Sequence, residues 1–293
     1  MEKSYIVNKL ENNSFEPIGE LSSDEFIALE KCIESINIFT KQFFNYLYYQ
    51  LNFVEFDKLI MALSDIAVTN LNASELNTNK KFININKVVF NLLSSYKFFL
   101  DSSETFLKRK FGKDSKETLQ FIKMTNFYFD NSFAYRFLSK LRHYTQHIGF
   151  PIHHTPFEVT ENLMEPQKMK GNFKLLVSRN ILLLEKELLG AIVYKDIQAR
   201  SYDIDIKPLI YELTTIIGKL EYLIYNFEKS ELVSNIKIID NNYSKFKTKT
   251  NKIVVMYDVT IGVKYHTFST TTLPLDEISE LNNFINWAAK NCH

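Results

Sequence analysis

Apolar residues spaced three and four apart over long stretches constrain this chain more than anything else in it. Phe26, Leu29, Ile33, Ile36, Phe43 and Leu47 keep that step, with Thr40 filling the one gap. Val89, Leu92, Leu93, Tyr96, Phe99, Leu100, Phe106 and Leu107 keep it again, as do Leu209, Ile210, Leu213, Ile216, Ile217, Leu220, Leu223, Ile224 and Phe227. A period near 3.6 gathers each set on one helix face, and that face has to be buried. Seven glycines in 293 residues fit a helical protein better than a Gly-rich barrel or a dinucleotide-binding fold. The chain reads as mainly α.

Helix boundaries follow from local signals. Ser22-Ser23-Asp24-Glu25 is a capping box, and the helix after it runs to about residue 50 or on past Phe56 to Ile66. Asn, Ser and Thr make Asn70 to Asn79 a loop. A second helix starts near Asn84 or Asn86 and ends at Gly112, after the basic turn Lys108-Arg109-Lys110. Asp114-Ser115-Lys116-Glu117 opens a third, Asp130-Asn131-Ser132 breaks it, and a fourth runs from Phe133 to a stop at Gly149 and Pro151. Short connections between four helices imply an antiparallel bundle over 22–151.

The flanks are read by pattern. Residues 1–21 hold an arm or short strand around Tyr5-Ile6-Val7. Residues 152–240 form a helical extension, with Pro208 in the first turn of its clear helix and an apolar Phe173 to Leu184 that fits a strand running into a helix. Residues 241–293 form a small α/β element: Lys245, Lys247 and Lys249 on the wet side of a strand, a hairpin with Gly262 at its turn, and a helix from Asp276 to Ala289. Phe284 and Trp287 are most simply core.

Hydrophobic residues at 45% and charged residues at 24% describe an ordinary globular protein. A net charge of +1 makes any nucleic-acid signal a local one. Cys32 and Cys292 have neither metal spacing nor a disulfide framework, so a reducing, cytoplasmic setting is expected. No secretory h-region and no charge-free apolar run of about 18 residues occurs, so no membrane span is expected.

The local signal lies in the fourth helix. With Phe133 at zero and about 100° per residue, Phe133, Phe137, Leu141, Tyr144 and Ile148 fall within about 80° of one another, a core stripe. Arg142 lies at about 180°, His143 at about 280° and His147 at about 320°, with Arg136 and Lys140 beside the histidines. The helix thus offers a cationic, titratable face to solvent, a ligand or another subunit.

Arg142, four residues, then His147, on the last helix of a four-helix bundle, resembles the Arg-x4-6-His motif of the HEPN superfamily of helical-bundle ribonucleases. His143 stands where that family usually has a polar residue. The string Asp130 to Leu138 running into Leu141-Arg142 is similar to a recurring group of uncharacterised bacterial proteins of that type. The resemblance covers roughly residues 22–151. It implies a HEPN-like bundle and metal-independent RNA cleavage without a cofactor, leaving a 2′,3′-cyclic phosphate and a 5′-OH. Arg142 would clamp the phosphate, His147 would act as acid/base, and His143 would be a second donor or proton carrier. A homodimer with the motifs facing each other is implied, and so are a phage-defence or toxin role and an antitoxin or defence-system partner. Arg136, Lys140 and Arg109 are candidate nucleic-acid contacts.

Blander readings stand beside these. An Arg-x4-His on a helix also occurs on plain solvated surfaces. His143 and His147 at i,i+4 could share a metal with His153 or His154, but no carboxylate accompanies them. Arg109 fits a helix C-terminal charge cluster, and the alternating lysines a wet strand face or, second, an RNA guide. Asp101 and Glu104 could orient a histidine but fit surface residues better. The alternative function is a non-catalytic HEPN-like module that binds an anionic ligand or protein partner.

Overall fold

The computed structural model describes residues 5–69, 79–162, 165–246, 250, 252–261 and 266–291. Cys292, Lys247, Lys249, Gly262 and nearly all of the expected Asn70 to Asn79 loop lie outside them. Among the described residues the chain is mainly helical, with small antiparallel sheets. It divides into two compact units: residues 1–43 with 222–293, and residues 44–221.

The first unit is built on a sheet of order β2-β1-β7-β8. β1 (Tyr5–Glu11) and β2 (Ser14–Leu21) form a hairpin, and β7 (Ile253–Ile261) and β8 (His266–Thr272) form another. β1 joins the two by pairing with β7, Ile6 opposite Met256 and Lys9 opposite Ile253. The N-terminal strand of the sequence reading is therefore half of a hairpin, and it completes the C-terminal sheet. The first hairpin turns at Asn12 and Asn13, with φ of 51° and 60°, as a two-residue hairpin turn requires and asparagine tolerates. Pro17 sits on β2, an edge strand, where a missing N–H costs no ladder bond. Gly19 lets the Phe246 ring lie where a Cβ would come within 2.7 Å of it.

Helix α1 (Ser23–Thr69) begins in this unit. Its capping box is formed: Ser22 N–H donates to Glu25 Oε2 at 2.9 Å and Glu25 N–H to Ser22 Oγ at 3.3 Å. The Ser22 amide and the Lys245 ammonium, 2.9 Å away, hold the Glu25 carboxyl down at about 2. Lys245 ends α7 (Lys207–Lys245), so it is helical and ion-paired rather than the wet side of a strand; the amphipathic pattern runs farther than its apolar residues advertise. α8 (Leu275–Asn291) buries Ile278, Leu281, Phe284 and Ala288, while Trp287 stays partly exposed. Phe284 meets Phe43 at 5.4 Å between ring centres.

The second unit is a helical bundle. To the rest of α1 and the start of α7 it adds α2 (Asn79–Lys110), α3 (Lys116–Asn131) and α4 (Phe133–His147). α2 begins at Asn79, ahead of the expected Asn84 or Asn86, and closes on Gly112 at φ 103° as expected. α3 is capped by Ser115, whose Oγ accepts from Thr118 N–H. The residues read as a helical extension carry more strand than their pattern shows. They include β3 (Phe157–Asn162) paired with β4 (Glu165–Phe173), and the two-residue β5 (Leu176–Val177) and β6 (Ile204–Asp205), with α5 (Arg179–Leu182) and α6 (Lys186–Gln198) between those two. Two-residue strands have no period to detect, and β4 lacks β-branched residues. No helix among the described residues is long and apolar enough to cross a membrane.

Asn13 at positive φ yields the first prediction. Asn13→Gly should leave stability equal or higher. Asn13→Val should lower it by about 1–3 kcal/mol, because a β-branched residue is strained there, with urea unfolding as the readout.

Candidate functional site

α4 is fixed at its start. Ser132 Oγ accepts from Tyr135 N–H at 3.0 Å and donates to Glu212 Oε1 at 2.6 Å. The helix buries Ala134, Tyr135, Phe137, Leu138, Leu141 and Tyr144, an arc of about 180° on the helical wheel. That arc is wider than the sequence stripe and rolled away from it. Phe133 is only half-buried and Ile148 is 49% exposed. The roll brings Arg142 to the rim of the buried arc and leaves His143 and His147 in solvent.

The cationic face is not continuous, because α6 covers its first half. Arg136 Nε donates to Asp196 Oδ2 at 2.6 Å, and Nη1 donates to the Asp130 carbonyl at 3.1 Å. With a side chain 15% exposed, Arg136 serves as a structural tie rather than an open nucleic-acid contact. The Lys140 ammonium passes Gly190, which kinks α6 at φ 73°, ψ 165°. Only the last turns of α4 are open.

There Arg142, His143 and His147 come together. The Arg142 Nε is buried without a hydrogen-bond partner, and no carboxylate among the described residues pairs with its guanidinium. The rings of His143 and His147 lie 6.4 Å apart and 23° from parallel. Burial first, then the charges of Arg142, Lys140, His147 and Lys97, hold the His143 imidazole below its ordinary value. Lys97, on α2, is a member of this cluster that the sequence reading missed. Its one signal was an i,i+4 carboxylate, Asp101, which reads as surface.

The remaining candidates lie elsewhere. Arg109 is exposed near the end of α2, twelve residues or about 18 Å along the helix from Lys97, and is not brought to the cluster. Asp101 and Glu104 pair with Lys97 and Lys108 on their own helix and with neither histidine. His153 is turned inward: its Nδ1 accepts from Ser178 N–H at 3.1 Å, and its ring meets Tyr144 edge-on at 6.2 Å. Asn86 pins the preceding backbone, with Oδ1 accepting from Ile152 N–H at 2.9 Å. His154 is exposed and bridges to Leu176 through its backbone. Among the described residues no three His, Cys, Asp or Glu side chains are grouped to hold a metal ion.

Chemically, the cluster can bind a phosphate through a guanidinium that no described carboxylate pairs with, and exchange a proton through two imidazoles one turn apart. Compared with known proteins, the chain matches no family model, no curated protein and no solved structure.

The bond from Ser178 to His153 predicts a pH effect on stability. Burial lowers the His153 pKa below its ordinary 6.5. Between that folded value and 6.5 the unfolded chain binds more protons, so stability falls as pH drops through the window. Melting temperature should decline from pH 7.5 to pH 5.5, and His153→Asn, which keeps an acceptor but cannot titrate, should flatten the decline.

Proposed function

We propose that this protein is a metal-independent endoribonuclease of HEPN type. The observation that carries the reading is the contrast between the two arginines of α4. Arg136 is matched by Asp196 and a backbone carbonyl. Arg142, beside two histidines, keeps a buried and unbonded Nε. Leaving a buried cationic donor unpaired costs stability, and a phosphate bound to the guanidinium would offset that cost.

In the proposed reaction the ribose 2′-oxygen attacks phosphorus and the 5′-oxygen leaves. One group takes the 2′-OH proton and another supplies a proton to the leaving oxygen. His143, biased toward its neutral form, suits the acceptor, and His147, one turn on, suits the donor. Arg142 offsets the charge growing on the phosphoryl oxygens. The products carry 2′,3′-cyclic phosphate and 5′-OH ends. Such an enzyme would serve phage defence or act as a toxin checked by a partner.

The reading includes a homodimer with the two open α4 ends facing each other. Cationic patches repel, so apolar contact has to hold the copies together. Tyr135 is buried and cannot supply it, whereas Tyr48 and Leu51 on α1 and Phe98 on α2 are exposed. Light scattering at micromolar concentration should give about twice the chain mass; a fully active monomer would count against the composite site.

Arg142→Ala and His147→Ala should each slow RNA cleavage by about two to four orders of magnitude. The double mutant should be little worse than either single one, as for residues acting in one step. Cleavage should survive a chelator, and end-group analysis should find cyclic phosphates. RNA bound but not cut by the wild type would instead favour a non-catalytic module.

A further prediction concerns pH. The acceptor works only when neutral and its pKa is lowered, so the acid limb of the cleavage profile should be centred below pH 6.5. An acid limb centred above 6.5 would remove His143 from the acceptor role.

A further inference from the structure

A cleft of about 210 Å³ opens between α2, α3 and α4. Tyr96, Phe121 and Tyr135 lie behind it as buried rings, and the half-buried Phe129 ring lines it closer to solvent. Asp101 and Glu104 of α2 and Asn126 of α3 add polar edges. Tyr96 is buried with its hydroxyl unbonded; Tyr135 and Ser139 lie close to that hydroxyl but outside hydrogen-bonding geometry.

Position matters more than composition. Ser139, which lines the cleft, lies one helical turn, about 6 Å, before His143 on the same side of α4. Lys97 lines the cleft and also acts electrostatically on His143. The cleft and the open histidines thus share one strip of surface within a single unit. The volume equals about seven waters' share of liquid and falls below the usual range for drug-sized ligands. One ring system fits; a dinucleotide cofactor does not.

We infer that the cleft is a nucleobase pocket, which seats an amino-bearing base of single-stranded RNA beside the bond cut at Arg142, His143 and His147. The inference rests on the ribonuclease reading. The half-buried Phe129 ring offers a face on which any base can stack. The edges choose among bases. Asp101 and Glu104, each tied to a lysine through i,i+4 pairing, retain lone pairs that only accept. Adenine, cytosine and guanine offer an exocyclic amino group to such acceptors. Uracil offers two carbonyl oxygens and a single ring N–H, so it turns acceptors toward carboxylates.

Eight-nucleotide oligo(A), oligo(C) and oligo(U), labelled at one end, test the inference in both cleavage and binding. Oligo(A) or oligo(C) should be cut at least about tenfold faster than oligo(U). Asn126→Ala and Glu104→Gln, both at exposed or half-exposed positions, should narrow that ratio about fivefold or more, with unchanged melting temperatures confirming the fold. Equal cleavage of all three oligomers, or a preference untouched by both variants, overturns the pocket while leaving the ribonuclease intact. If none is cut, the ribonuclease reading fails and fluorescence anisotropy decides. Selective binding of oligo(A) or oligo(C) that weakens in both variants upholds the pocket, and binding without preference, or none, overturns it.

Discussion

Burial of the apolar arc of α4 sets how that helix is rolled, the ion pair between Arg136 and Asp196 ties it to α6, and the open end of the helix depends on the roll. The pair is short, with side chains 15% and 26% exposed, so it is screened less than an exposed ion pair and is costly to break from one side. With α4 held against α6 on that side, Ala134, Leu138 and Leu141 turn inward. Arg142 then falls on the rim, where its Nε loses water while no protein acceptor replaces it. His143 and His147 are left outward. The reactivity proposed for this end is fixed by charge pairing and packing one and two turns earlier.

Net charge hides this arrangement. The overall balance is +1, yet the charges are unevenly placed: on α2, Asp101 is tied to Lys97 and Glu104 to Lys108. The last turns of α4 carry no carboxylate of their own, and among the described residues none pairs with the Arg142 guanidinium beside the two histidines. Burial, and then the charges of Arg142 and Lys140, favour a neutral imidazole at His143.

Much of this could be read from the sequence where the physics is local. Helical period, the Ser22–Glu25 box, the Gly112 stop and the Ser132 break all appear in the structure, because each depends on residues within a turn or two. The wheel of α4 put the histidines outside, yet placed the core stripe too narrowly, since a helix packed against several neighbours buries half its circumference. Non-local features stayed hidden. Asp196 lies sixty residues beyond Arg136, and nothing in either neighbourhood announces the other. The partner of β1 is a strand at the far end of the chain. The cleft beside Ser139 takes its lining from three helices, so no one window of sequence contains it.

The pairing of β1 with β7 has a consequence for how the chain is made. Ile6 and Met256 are opposite one another in the sheet, and the whole second unit, residues 44–221, is synthesised between them. At the ordinary pace of translation, β1 waits on the order of 12–50 s before β7 exists. During that wait the hairpin of β1 and β2 presents an unpaired edge, the kind of template that recruits foreign strands. The intervening helical unit has time to fold first, since local contacts form far faster than this. Birth order thus makes the inserted unit the earlier one to fold, and the unit holding both flanking segments the last to close.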